Sequence, residues 1–168
     1  MKEQERIQNF SKQTLEQLYH SEDGLRIYEE LIQFEPRFRQ INARTFQTEF
    51  LCAQLAFSCM IWQQVSLEHH LNRDDQSKAL LRSVMTSFES PKSLNIAAQF
   101  SEYYQAYHVT DEETPAIAIA KRLLEKTGFQ ADKNSLHVLK RLIEILEYFR
   151  IQFENMFSDF VEEQRSSF

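Results

Sequence analysis

Residues 50–67, FLCAQLAFSCMIWQQVSL, form a stretch of 18 positions without a charged side chain. Phe50, Ala53 and Phe57 recur at helical spacing, and further apolar residues widen this stripe over most of the circumference. A helix of this kind lies in a protein core or spans a membrane. Glutamines and serines interrupt the stretch, and these are costly in lipid. We therefore predict a central buried helix over residues 43–71, with a membrane-spanning or interfacial helix as the alternatives.

The scarcity of turn-forming residues indicates that the rest of the chain is helical too. The 168 residues include 2 glycines and 3 prolines, where average usage would give roughly 12 and 8. A β-rich fold needs glycine, asparagine and aspartate at many tight turns. Hydrophobic residues make up 42% of the chain, which disfavours disorder. No linker or low-complexity segment divides the chain, so we predict an all-α protein with a single domain over residues 1–168.

A second long helix is predicted over residues 133–164, where apolar side chains keep a helical period almost throughout. Shorter helices fill the remaining segments. One of them starts at Thr114-Pro115, a hydroxyl cap followed by proline at the first helical position, and ends at Gly128.

The length of the two long helices constrains their arrangement. Each would measure about 45 Å, whereas a compact domain of this size is about 40 Å across. We expect them to lie side by side in an elongated single-domain bundle of six or seven helices.

Charge and glycine content exclude several classes of function. The net charge is −6 and the isoelectric point is near 5.4, whereas nucleic-acid binding needs a basic face. Two glycines are too few for a phosphate-binding loop, a dinucleotide fingerprint or a nucleophile elbow. We therefore expect no nucleic-acid partner and, because the long apolar helix is interpreted as core, no membrane partner.

The two cysteines indicate a reducing compartment. Cys52 and Cys59 lie on one predicted helix, about 10 Å apart along its axis, which is too far for a disulfide. On an apolar stripe they are expected to be buried, inert thiols. The first residues are charged and are not followed by an apolar segment, so no secretory signal is predicted. These features predict a cytoplasmic protein.

The histidines suggest only a weak metal site. Glu16 and His20 are four residues apart, and Glu68, His69 and His70 lie at the end of the first long helix. The helix dipole favours cationic histidine at that end without a metal. The Glu-x-x-His and His-x-x-x-His patterns of helical metal sites are absent. We predict no cofactor and keep these five residues as metal candidates.

Aromatic residues are the main candidates for ligand or interface contact. A tyrosine-histidine face is expected on the helix around residue 104, since tyrosine is apolar with a polar tip. The phenylalanines of the last helix could fill the core, line an apolar cavity or contact a partner. The candidates are Trp62, Tyr104, Tyr107, His108, Phe149, Phe153, Phe157 and Phe160.

The absence of catalytic motifs favours a non-enzymatic helical interaction or regulatory protein. We predict that it forms a homodimer, because Phe153 to Phe160 are expected to extend beyond the core of one chain. One alternative is a small module that binds an apolar ligand in a phenylalanine-lined pocket. Another is a metal-dependent enzyme built on a helical bundle.

Overall fold

The computed structural model describes residues 2–70, 74–87, 94–109, 113–130, 132–133 and 135–166, with side chains except at 74–75, 94–95 and 106–109. These ranges hold eight α-helices, one 3₁₀ helix and no strand, which confirms the all-α prediction. The α-helices are α1 (Lys2–Tyr19), α2 (Asp23–Phe34), α3 (Ala43–Glu68), α4 (Asp74–Ser77), α5 (Ala79–Ser87), α6 (Leu94–Val109), α7 (Pro115–Thr127) and α8 (Leu136–Ser166). The 3₁₀ helix, Pro36–Gln40, connects α2 to α3.

The central element is α3, against which all seven other α-helices pack. Its charge-free stretch is inside, and Phe50, Phe57 and Trp62 are at most 1% exposed. Among the described helices, α3 alone is long and apolar enough to cross a membrane, but 78% of its apolar window is buried within the bundle. This burial supports the interpretation of α3 as a core helix.

The second long helix, α8, lies beside α3 and parallel to it. Phe50 faces Phe149 at 6.1 Å between ring centroids, and Trp62 faces Phe157 at 5.3 Å. Phe50 precedes Trp62 on α3, as Phe149 precedes Phe157 on α8. The two helices therefore run in the same direction. The predicted side-by-side packing of the long helices is thereby confirmed.

The observed ends of the helices follow the capping signals closely. The hydroxyl of Thr114 accepts a hydrogen bond from the N–H of Ile117 at 3.4 Å, and Pro115 begins α7. Gly128 follows α7 with a φ of 77°, the left-handed conformation in which glycine has no steric penalty. The predicted start and end of this helix are confirmed.

The two long helices differ slightly from their predicted ranges. Helix α3 ends at Glu68, because His70 adopts a φ of 59° that a helix cannot continue through. Helix α8 begins at Leu136, and the preceding Ser135 hydroxyl instead lies 3.0 Å from the Asp132 carboxylate. Polar side chains competing for local hydrogen bonds account for this shift.

An ion pair and a hydrogen bond attach the start of α8 to α2 and to the residue that caps the 3₁₀ helix. Arg141 of α8 pairs with Glu30 of α2. His137 Nε2 lies 3.1 Å from a carboxylate oxygen of Glu35, whose other oxygen accepts from Arg37 Nε at 2.7 Å. The hydrogen bond from Arg37 lowers the pKa of the Glu35 carboxyl. These contacts lie between the first turns of α8 and the segment around residues 30–37.

Candidate functional site

The phenylalanines of α8 lie inside the bundle of a single chain. Phe149, Phe153 and Phe157 are 6%, 7% and 0% exposed. Phe160 is partly buried and stacks on Phe10 of α1, with ring centroids 3.9 Å apart. The expectation that Phe153 to Phe160 extend beyond one core is therefore corrected, because Phe153 is buried and Phe10 of α1 packs against Phe157 and Phe160. The argument for dimerisation through these rings loses its basis.

Trp62 is a core residue, 1% exposed in the described structure. Its ring packs between Phe10 and Phe157, at 5.7 Å and 5.3 Å between centroids. Its indole N–H donates to the backbone carbonyl of Gln76 at 2.9 Å. None of four concavities on the described surface is lined by Trp62 or by the four phenylalanines of α8. In the described residues these rings form a packed aromatic cluster, and the pocket predicted beside them remains a prediction.

The tyrosine-histidine face of α6 is described only in part. Tyr104 is half-buried, and its hydroxyl accepts a hydrogen bond from Gln63 Nε2 at 2.7 Å. The side chains of Tyr107 and His108 lie outside the described residues. The predicted contact role of this face remains a prediction.

The five metal candidates do not come together in the described residues. Glu16 and His20 are both exposed, and the described contact between them is a backbone hydrogen bond. Glu68 accepts a hydrogen bond from Gln64, while His69 and His70 terminate α3. Within the described part of the chain, no three or more His, Cys, Asp or Glu side chains are grouped to hold a metal ion.

A buried polar pair joins α3 to α6, and sequence reasoning missed it. The Tyr103 hydroxyl donates to a carboxyl oxygen of Glu49 at 2.6 Å. Tyr103 is fully buried and Glu49 is 4% exposed. Burial, together with the bond to Glu49, raises the pKa of the Tyr103 hydroxyl. The available signal was the position of Glu49 between Phe46 and Phe50 on the apolar face of α3.

Replacing Tyr103 with phenylalanine is expected to lower the free energy of unfolding by about 1–3 kcal/mol, because it leaves a buried carboxyl oxygen without its donor. Urea denaturation measures the loss. Adding Glu49→Met should recover part of it, since neither partner then remains unsatisfied. Thr45→Val, which removes an exposed hydroxyl of α3, is the control. Equal stability of Tyr103→Phe and the parent would contradict the role of the pair.

Both thiols are buried beside apolar residues of the core. Cys52 and Cys59 are free and fully buried. Burial raises the pKa of the Cys52 thiol to about 12, and burial raises the pKa of Cys59 as well. A nucleophilic cysteine needs the opposite shift. These pKa directions favour the inert role predicted for both residues.

One concavity of the described surface is a groove between α1 and α5, hereafter the α1–α5 groove. It has a volume of about 370 Å³, within the lower part of the range of small-molecule sites, about 300–1,000 Å³. Ile7 and Ala79 are apolar lining residues that are 2% and 7% exposed, and carbon atoms of the longer lining side chains supply most of the accessible apolar surface. The described lining residues are Gln4, Ile7, Gln8 and Lys12 from α1, Gln76 from α4, and Ala79, Arg82, Ser83 and Thr86 from α5.

The α1–α5 groove is locally cationic although the protein carries a net charge of −6. Lys12 and Arg82 contribute from the two helices that form the groove, and none of its described lining residues is acidic. Neither side chain has a hydrogen-bond or ion-pair partner in the described ranges. Arg141 and Arg150 of α8, in contrast, are held in ion pairs. The groove therefore presents two cationic groups available to an anion.

Sequence reasoning did not find the α1–α5 groove. Lys12 and Arg82 each lie on the polar face of an amphipathic helix, and such residues are ordinarily solvated. Only the packing of α5 along α1 brings them to one concavity. The weak signal that was available is the absence of acidic residues from the sequence of α5.

The arrangement of the α1–α5 groove is suited to non-covalent binding. Its hydroxyls, Ser83 and Thr86, have no histidine, cysteine or carboxylate beside them in the described lining, and a nucleophilic hydroxyl needs an adjacent base. Amides, hydroxyls and cations can instead donate hydrogen bonds to a bound anion.

No protein-family model, no curated protein and no solved structure matches the chain.

Proposed function

We propose that the protein is a non-enzymatic interaction or regulatory protein that binds a ligand in the α1–α5 groove. The observation that carries the proposal is the pair Lys12 and Arg82, two cations without partners in the described ranges beside an apolar surface. Binding sites combine apolar lining with a few polar groups that orient the ligand. The groove has this composition, with Ile7 and Ala79 as its apolar part.

Two further observations favour binding over catalysis. The thiols of Cys52 and Cys59 are buried and have raised pKa values, which opposes nucleophilic chemistry. The described histidine and carboxylate side chains form no metal-holding group, so no observation favours the metal-enzyme alternative.

The free thiols are consistent with a reducing compartment, and the cytoplasm is our proposed location.

A screen of small organic acids, amines and neutral compounds tests this function. Compounds that bind ¹⁵N-labelled protein are expected to shift the amide resonances of Ile7, Gln8, Ala79 and Ser83. Filling the groove with Thr86→Trp should abolish these shifts, because Thr86 is an exposed residue of its lining.

The control is Gln152→Trp, on the solvent face of α8, with circular dichroism to verify folding. Compounds that bind elsewhere, or whose binding is unchanged by Thr86→Trp, would count against a groove-based function.

Self-association is a second proposed function, now through the outer face of α8. Tyr148 and Ile151 are 59% and 49% exposed, and residues three apart share one side of a helix. We expect size-exclusion chromatography with light scattering to show a dimer at micromolar concentration. Tyr148→Lys combined with Ile151→Lys should yield a monomer. A monomeric parent protein would remove this proposal and leave ligand binding unaffected.

A further inference from the structure

We infer that the α1–α5 groove binds an anionic amphiphile, with a carboxylate or phosphate head group between Lys12 and Arg82 and a short apolar chain on Ile7 and Ala79. The inference rests on the proposed function of the groove and names its ligand class. It replaces the purely apolar ligand that the phenylalanine content suggests.

The sign of the ligand charge follows from the side chains of the groove. Lys12 lines the groove from α1 and Arg82 from α5, and we expect both long side chains to reach a head group bound there. A guanidinium binds carboxylate or phosphate oxygens in bidentate fashion, and an ammonium adds a point charge. No described lining residue is acidic, so no carboxylate of the groove competes for these cations. A cationic ligand would meet only repulsion there.

The apolar part of the ligand follows from the residues beneath the cations. Ile7 and Ala79 are almost completely buried but still line the groove. The exposed surface of the whole groove is more apolar than polar, so a hydrocarbon segment would remove more of it from water than an anion with only polar atoms would. The volume of about 370 Å³ limits the chain to a short one, because larger ligands occupy sites toward about 1,000 Å³.

The position of Trp62 provides a built-in reporter for this groove. Trp62 is the single tryptophan of the chain, and its indole N–H donates to the Gln76 carbonyl at 2.9 Å. Gln76 is itself a lining residue of the groove. A ligand that contacts Gln76 is therefore expected to change the environment of the indole hydrogen bond and the fluorescence of Trp62.

Four probes with the same alkyl chain test the inference: sodium nonanoate, octyl phosphate, octyltrimethylammonium and octyl glucoside, each below its micelle concentration. Trp62 fluorescence and isothermal titration calorimetry follow binding to the full-length protein. We expect both anions to bind at least about tenfold more tightly than the other two probes, because hydrogen bonds to charged groups are the stronger ones.

Lys12→Gln combined with Arg82→Gln should weaken octyl phosphate binding by about tenfold or more. Both positions are exposed, so the fold should be retained, and circular dichroism verifies this. The matched control, Arg39→Gln combined with Lys140→Gln, removes two exposed cations outside the groove and should leave binding unchanged. Undiminished binding of octyl phosphate to the Lys12/Arg82 variant would overturn the inference.

The probes also separate this inference from the function on which it rests. If octyl glucoside or octyltrimethylammonium shifts the groove amides as strongly as the anions do, the anionic ligand class is wrong but the binding function stands. If no compound binds the groove, both fail. Sedimentation with vesicles of anionic phospholipid identifies the source of the head group. Pelleting that requires Lys12 and Arg82 points to a membrane lipid, and octyl phosphate binding without pelleting points to a free amphiphile.

Discussion

Replacing Phe157 with alanine is expected to lower the free energy of unfolding by about 3–5 kcal/mol. Phe157 is fully buried and meets Trp62 edge-on, with an angle of 90° between the rings. It also contacts Phe10 at 5.9 Å between centroids, so it joins α8 to both α3 and α1. Truncation of this side chain loses the free energy of transferring its ring from water to the core. It also leaves a cavity where three helices meet, and this cavity lowers the stability further.

Urea denaturation followed by Trp62 fluorescence measures this loss, because the reporter lies directly against the deleted ring. The matched control is Leu136→Ala on the same helix, where the side chain is 45% exposed and the change should stay within about 0.5 kcal/mol. A loss below about 1 kcal/mol for Phe157→Ala would mean that the aromatic cluster is not a packed core.

Alkaline pH is expected to destabilise the protein through its two buried thiols. In the unfolded chain a cysteine has a pKa of about 8.5, whereas burial raises the pKa of Cys52 to about 12 and also raises that of Cys59. Above pH 8.5 the unfolded state releases protons that the folded state retains, so the free energy of unfolding falls as pH rises. Below pH 8.5 this contribution to stability is fully present.

The expected loss is about 2 kcal/mol for each thiol between pH 8 and pH 10. Urea denaturation at several pH values measures it, and Cys52→Ala combined with Cys59→Ala is the control. Tyrosines and lysines titrate equally in both proteins, so the difference between their pH profiles isolates the thiols. Identical profiles would show that the thiols titrate normally and are not buried as described.

The two long helices and the limits of α7 were predictable because local chemistry determines them. The apolar stripe of α3 continues over many turns, and Thr114 and Gly128 satisfy the ends of α7 through their own side chain or backbone. Such signals depend on residues a few positions apart, which a single sequence displays. The burial of Cys52 and Cys59 follows in the same way from their place on the stripe.

The sequence could not predict which residues at the edge of an apolar stripe are buried, because their burial depends on which other helix packs against them. Phe160 looked like an exposed end of α8, but Phe10 of α1 stacks on it. Glu49 looked like an ordinary polar residue until Tyr103 of α6 supplied its donor. Contacts between residues distant in the chain carry no local pattern, so sequence periodicity cannot reveal them.

The sequence by itself determined that this chain is helical, where its long helices run, and that it has no glycine-rich phosphate loop. These properties follow from backbone preferences and from the period of apolar residues. Only the tertiary structure decided that the phenylalanines of α8 are internal and that Lys12 and Arg82 share a groove. The physical reason is that burial of a side chain and the grouping of charges depend on how helices pack together, whereas helix formation is largely a property of each segment.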